Sequence, residues 1–323
     1  MKKLFSFLLV LFLIFSFSFF SVIADGNHAK ASVVMDVNTK RILYSHNKDI
    51  KLPMASTTKI MTALVAIENG NLDDLVTISK KASLEEGSSI YLKEGEKIRL
   101  EDLLYGLMLR SGNDAALAIA EHFNNKGKDF YKMMNEKAKK IGAENTNFEN
   151  PHGLPCDNHY STAYDLGLIT CHALKNKKFA EIVKTQNKKI PGPPGVSWVR
   201  NLQNKNKMLW QFSGGDGVKT GYTKKAGRCL VSSATRNNWQ LVAVVLNCGD
   251  WWNYSSKLLD TAFNDYENVK IIDKDKINFT IDVSMGKEKV VKVKPTNDFF
   301  APLLKMNGGY EKVTCIPALP NLV

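Results

Sequence analysis

Ser56-Thr57-Thr58-Lys59 combines a nucleophile and a base at a spacing that lets them meet. A serine hydroxyl is a weak nucleophile until something takes its proton. A lysine amine can do so if burial or a second cation keeps it neutral. Three residues apart on a helix, the two side chains share a face. Ile60, Met61, Leu64, Val65 and Ile67 recur at helical spacing until Asn69-Gly70 stops the run, so Ser56 falls at or near a helix N-terminus. The same spacing at Ser45–Lys48 and Ser284–Lys287 opens no apolar helical run. An isolated Ser56 would read equally well as a helix N-cap.

Two further groups supply partners. Ser111-Gly112-Asn113 lies in the tight link between helical stretches at Glu101–Leu109 and Asp114–Phe123, and Lys219-Thr220-Gly221 lies in a strand candidate, Gly217–Tyr222. By themselves they would be a helix–helix turn and a solvated strand lysine. In this order they offer a second hydroxyl, an amide and a cation to the Ser56–Lys59 pair. Ser45-His46-Asn47 imitates the second group without such surroundings.

The elements that must position them are legible. A β-hairpin is predicted over Ser32–Val37 and Arg41–Tyr44, short strand-like pieces over residues 74–100, and helices over 129–141, 161–175 and 178–185. Pro191-Gly192-Pro193-Pro194-Gly195 reads as a loop. Strands follow at Arg228–Thr235 and Gln240–Leu246 with an Asn237-Asn238 turn between them, and a helix at Ser255–Phe263. From about Glu267 alternation takes over, at Lys270–Ile272, Asn278–Val283 and Val290–Val293, which reads as a small β-rich appendage over residues 267–323.

The three motifs together resemble those of the penicillin-recognising acyl-serine enzymes. Their spacings, about 50 and then about 110 residues, resemble the low-molecular-mass penicillin-binding proteins, the D-alanyl-D-alanine carboxypeptidases. Leu103–Ala116, Asn150–Leu154 with Ser161-Thr162-Ala163, and Asp216–Ser233 look like that group as well, and the likeness spans residues 29–266. The resemblance implies an α+β, β-lactamase/transpeptidase-like catalytic domain over residues 25–266, an antiparallel sheet flanked by helices. It also implies roles. Ser56 attacks the carbonyl of the penultimate D-alanine of a peptidoglycan stem peptide, and Lys59 is the base. Ser111 relays a proton to the leaving amine, and Asn113 holds Lys59 and the substrate amide. Lys219 and Thr220 bind the terminal carboxylate, Gly221 lets substrate lie along the strand edge, and the N–H groups of Ser56 and Tyr222 form the oxyanion hole. No cofactor or metal is implied, and β-lactams would be covalent inhibitors.

One feature departs from that pattern. Some members carry an arginine after the last sheet strand that helps bind the carboxylate, whereas this chain reads Cys248-Gly249-Asp250-Trp251-Trp252. Either Lys219 and Thr220 suffice, or Arg228 or Arg236 substitutes. The rival readings are a serine β-lactamase and a non-catalytic wall-binding scaffold. The Glu-x-x-Leu-Asn pattern of the commonest lactamases is missing from residues 114–218, where Glu144 and Glu149 are the nearest acidic candidates. The intact nucleophile and base argue against a scaffold.

Met1-Lys2-Lys3, the apolar run Leu4–Ile23 and a small-residue site after Ala24 read as a signal peptide, with a retained anchor as the alternative. Its removal leaves 299 residues and lowers the net charge from +12 to +10, since it holds Lys2 and Lys3 and no acidic residue. An exported basic chain suits an anionic envelope surface rather than nucleic acid. Five widely spaced cysteines make no disulfide framework. His152, Cys156, Asp157 and His159 match no zinc spacing. The residues after Pro317 cannot continue a helix, and the last strands read as cut short relative to related chains.

Overall fold

The computed structural model describes residues 28–312 except 194, 277 and 284–287. The leader, Cys315 and the stretch after Pro317 lie outside the described residues. Strand β1 (Ala31–Asp36) is buried on both faces, as its unbroken Ala-Ser-Val-Val-Met run requires, and it pairs antiparallel with β2 (Ile42–His46). A 3₁₀ turn, Ala55–Thr58, leads into α1 (Lys59–Asn69). This helix is apolar nearly all round and sits inside the helical layer. Side chains such as Ile60 and Leu64 each stabilise it by roughly 1.5–3 kcal/mol through burial.

Short strands β3 (Leu75–Thr77) and β4 (Lys97–Arg99) flank α2 (Lys80–Ser83). The helix expected over 101–109 begins as α3 (Leu100–Tyr105) but finishes as a π-helical turn, Gly106–Arg110. Then come α4 (Asn113–Asn124), α5 (Phe130–Ile141), α6 (Ala163–Leu174) and α7 (Lys177–Lys184). The Pro/Gly loop proves to be the tip of a hairpin, β5 (Asn187–Pro191) with β6 (Val199–Gln203). Only Ile190, Arg200 and Leu202 of that hairpin turn inward, too few for a clear alternation in sequence.

After α8 (Met208–Gln211), strands β7 (Gly215–Thr223), β8 (Gly227–Arg236) and β9 (Trp239–Leu246) complete a five-stranded sheet ordered β2-β1-β9-β8-β7. Asn237 and Asn238, both at positive φ, make the β8–β9 turn. One sheet face packs on α1, α6 and α7, and the other on α9 (Trp251–Asp265) through Leu230, Leu241, Ala243, Leu259 and Ala262. Strand β7 is left at the edge, alongside the Ala55–Thr58 turn. The last segment holds β10 (Tyr266–Ile272), β11 (Phe279–Asp282), β12 (Val290–Val293), β13 (Phe299–Met306) and β14 (Gly309–Tyr310). Strand β13 hides behind Pro302 in the sequence. The proline is tolerated because β14 pairs only with Lys305 and Met306. No helix among the described residues is long and apolar enough to cross a membrane.

Candidate active site

Ser56 stands on a turn fixed from several sides. Ala55 adopts φ +48, and the Thr57 and Thr58 hydroxyls donate to the carbonyls of Met54 and Ala55 at 2.6 and 2.8 Å. Gly153 packs directly on this turn. A Cβ there would lie 1.9 Å from the Ala55 carbonyl oxygen, and its φ is +91, so only glycine fits. His159 completes the brace. Its Nδ1 accepts the Glu149 N–H, which leaves Nε2 as the donor toward Thr58 Oγ1 at 2.8 Å.

Lys59 is fully buried, and its Nζ has three neighbours: Asn113 Oδ1 at 2.7 Å, the His152 carbonyl at 2.7 Å and Ser56 Oγ at 3.1 Å. A neutral amine has two N–H groups and one lone pair. The two carbonyl oxygens absorb the donors, so the lone pair is left for the Ser56 hydroxyl. Burial, and next the Lys219 cation, hold the Lys59 pKa well below the ordinary lysine value. The arrangement can take a proton from Ser56.

Asn113 opens α4 and Ser111 ends the π turn at φ +66, largely buried. Asn113 is oriented by two donations to the loop before it, Nδ2 to the Glu86 carbonyl at 2.5 Å and N to the Ser88 carbonyl at 2.6 Å. Asp114 secures the continuation of that loop. Its buried carboxylate accepts from the Ser89 hydroxyl and from the N–H groups of Ile90 and Leu92. The π turn spends one extra residue, which re-aims the chain between α3 and α4.

Lys219 is 2% exposed and donates to the Thr220 carbonyl at 2.7 Å. Burial, with a contribution from Lys205, brings its pKa down to about 7. Gly221 faces the nucleophile: a Cβ there would lie 2.9 Å from Ser56 N and 3.1 Å from Thr57 N. Glycine therefore keeps open the space in front of those amides. Tyr222 follows with its side chain exposed to solvent. Val218, just before Lys219, holds φ +99, an outlier for a β-branched residue. Each of the three motifs thus contains or directly follows a non-glycine residue at positive φ, namely Ala55, Ser111 and Val218. Strain of this kind costs about 1–3 kcal/mol per residue and collects at functional sites.

Ser56, Lys59 and Asn113 are brought into direct contact, Gly221 abuts Ser56, and Lys219 acts on Lys59 through its charge. The clustered residues 152–159 turn to this site. His152 Nδ1 accepts the Leu154 N–H, and its Nε2 faces Glu85 Oε1 at 3.2 Å. Burial lowers the pKa of His152 to about 3 and that of His159 to about 4, so both rings are neutral. The sequence alone assigns Glu85, Asp114, Gly153 and His159 no role at the site, although Asp114 and Gly153 lie in family-like stretches and His159 lies in the cluster weighed for zinc. Asp114 was legible as the acidic residue closing Ser-Gly-Asn-Asp. The others reach the site only through loop packing. Glu149, one of the two carboxylates nearest a lactamase pattern, accepts the Asn158 N–H of its own loop.

Comparison with known proteins agrees with this geometry. A family model described as D-alanyl-D-alanine carboxypeptidase matches residues 20–249. The chain is 34% identical over 277 residues to the D-alanyl-D-alanine carboxypeptidase DacF of Bacillus subtilis, covering 83% of this chain and 70% of that protein. It is 34% identical over 286 residues to DacC of Escherichia coli, covering 84% and 70%. The crystal structure of DacD from Francisella tularensis matches with a TM-score of 0.70 at 30% identity, over 86% of this chain and 81% of that one. With a buried lysine against a half-buried serine at the edge of an antiparallel sheet and a family match over most of its length, the chain belongs to the D-alanyl-D-alanine carboxypeptidase family of serine peptidases.

Proposed function

We propose that this protein removes the terminal D-alanine from peptidoglycan stem peptides through an acyl-enzyme on Ser56. One observation carries the reading: the Lys59 amine is buried, its two N–H groups are taken by Asn113 and the His152 carbonyl, and its lone pair is left for Ser56 Oγ. Ser56 Oγ bonds to the penultimate D-alanine carbonyl carbon while its proton passes to Lys59. The C–N bond then breaks, and the terminal D-alanine leaves as an amine that takes the proton by way of Ser111. Water cleaves the ester to regenerate Ser56. The N–H groups of Ser56 and Tyr222 stabilise the oxyanion, Asn113 binds the substrate amide, and Lys219 and Thr220 meet the carboxylate. The space kept open at Gly221 supports that oxyanion position.

A β-lactam ring offers the same carbonyl, so penicillin acylates Ser56 and stays. Fluorescent penicillin with mass identification of the labelled peptide tests this. Stable labelling on the Ser56 peptide together with D-alanine release supports the carboxypeptidase; rapid loss of label would make it a lactamase, and no label a scaffold.

We further infer that the protein is exported, held to an anionic envelope by charge, with residues 267–323 as a β-rich appendage. The basic–apolar leader, and a net charge of +12 that becomes +10 once Lys2 and Lys3 leave with it, support this. Attraction of that kind is screened over about 8 Å at physiological salt, so a moderate salt wash of envelopes releases it. Retention in the membrane pellet with residues 1–24 still present would point to an anchor.

A further inference from the structure

A cavity of about 730 Å³ opens where strands β10 and β13 meet the β8–β9 turn, a size that suits a small ligand. Tyr266 and Asn268 of β10 and Phe300 of β13 line it from one face, since Phe300 pairs with Lys270, two residues beyond Asn268. Trp239 and Phe263, edge to face at 5.3 Å, line it from the sheet and from α9. Phe300 is 41% exposed, so its ring is presented rather than packed away.

The walls are held in place without a ligand. Arg41, just before β2, donates through Nη1 to the Pro302 carbonyl at 2.7 Å and through Nη2 to Glu311 Oε1 at 2.6 Å. The Tyr266 hydroxyl donates to the Leu43 carbonyl at 3.0 Å. A cleft formed in advance loses no affinity to the ordering of its walls.

Five asparagines also face the cavity: Asn38, Asn237, Asn238, Asn264 and Asn268. The positive φ of their turn explains Asn237 and Asn238. Asn264 sits in α9 and Asn268 in β10, elements that disfavour asparagine, so neither has a local reason to be there. Among the described residues, none of the five side-chain amides has a hydrogen-bond partner. Each therefore has a carbonyl and two N–H groups to offer. The charges around them are already engaged. Arg236 pairs with Asp260 at 2.8 Å, Glu267 receives the Tyr310 hydroxyl, and Lys305 donates to the Asn264 carbonyl at 3.0 Å. What remains is amide groups beside aromatic rings, which suits a neutral ligand with hydroxyl and amide groups and apolar C–H faces. An N-acetylated sugar chain has that chemistry.

The cavity stands apart from the nucleophile. Arg236 marks its end of β8, and Leu230, opposite Thr220, lies six residues or about 20 Å back along the strand. A chain bound here leaves Ser56 free for a peptide.

We propose that this cavity binds the N-acetylated glycan that carries the stem peptides, and so keeps the enzyme on its polymer. The choice of glycan rests on the peptidoglycan reading above. Holding the glycan raises the effective concentration of stem peptides at Ser56. In the test, the whole protein is first acylated with penicillin, which closes the Ser56 site. It is then titrated by calorimetry with triacetylchitotriose, or with maltotriose, an equally long chain without acetamido groups. Wild type, Phe300→Ala, Asn268→Ala and Phe299→Ala are compared, Phe299 being a similarly exposed ring on the other face of β13. Triacetylchitotriose binds saturably and about tenfold or more tighter than maltotriose. Affinity falls about tenfold in Phe300→Ala, which loses a stacking ring, and about fivefold in Asn268→Ala, which loses an amide, while Phe299→Ala stays within about twofold. In the two weakened variants, D-alanine release from intact peptidoglycan falls relative to release from a soluble peptide. If the blocked protein binds neither sugar, binds both equally, or binds as well in Phe300→Ala and Asn268→Ala as in wild type, the cavity is not a glycan site. Wild-type protein that takes up no penicillin and releases no D-alanine would overturn the acyl-serine reading instead, and the sugar titration would still decide the cavity.

Discussion

His159 Nε2 lies 2.8 Å from Thr58 Oγ1, and the same hydroxyl donates to the Ala55 carbonyl, so a neutral imidazole fixes the turn that carries Ser56. The ring can donate here without charge because its Nδ1 accepts the Glu149 N–H. Protonation would place a cation in a site already holding Lys59 and Lys219.

Acid should therefore loosen the site. His159 titrates at about 4 in the folded protein and near 6.5 when unfolded, so above pH 6.5 it has no effect on stability. As pH falls from 6.5 toward 4 the unfolded chain binds the proton first, and stability is lost, by up to about 3 kcal/mol for this ring. His152, at about 3, adds to the loss in the same direction. Thermal unfolding of wild type and His159→Gln followed from pH 7.5 to 4 checks it. The variant should show the shallower decline, and parallel curves would remove the histidine from the account.

Replacing the nucleophile separates chemistry from fold. Ser56→Ala removes one hydroxyl from a turn held by Thr57, Thr58 and Gly153, so Tm should change by only a degree or two. Penicillin labelling and D-alanine release should vanish. Ser45→Ala should affect neither, because Ser45 lies in β2 away from the motifs. Covalent labelling that survives in Ser56→Ala would place the nucleophile elsewhere.

Lys59→Arg tests the need for a neutral base. Guanidinium stays protonated and has no lone pair to offer Ser56, so acylation should drop on the order of 10³-fold. In the wild type, acylation rises with pH as Lys59 loses its proton through a pKa that burial and the Lys219 charge hold below the ordinary lysine value. Lys219→Ala should move the rising limb to higher pH, because the nearby cation that depresses Lys59 is gone. Rates of acylation against pH for the three proteins decide the matter. Near-normal acylation in Lys59→Arg would sink the mechanism.

Gly221→Ala probes the oxyanion position with one methyl group. Its Cβ would crowd Ser56 N and Thr57 N at 2.9 and 3.1 Å, and the residue sits in an extended strand that alanine tolerates. The expected result is a 10²- to 10³-fold fall in kcat, about the cost of losing one oxyanion donor. Stability should fall by about 1–3 kcal/mol as well, because backbone of the Ser56 turn must give way. A variant as active as wild type would show that the oxyanion sits elsewhere.

Sequence alone determined the chemistry. Three motifs in order name a nucleophile, a base and a strand-edge cation, and the apolar periodicity after Lys59 places the first of them on a helix. The central strands were equally legible, because buried runs such as Ala31–Asp36 and Trp239–Leu246 are apolar on both faces. Local patterns carry such information because each depends on residues within one element.

Only the tertiary structure decided which residues support the motifs. Glu85, Gly153 and His159 lie 29, 97 and 103 positions along the chain from Ser56, and no local pattern gives them their roles. Loop packing alone brings Gly153 and His159 to the Ser56 turn and Glu85 to His152. The neutrality of Lys59 is likewise a tertiary property, since it needs the burial and the Lys219 charge that the closed sheet edge creates.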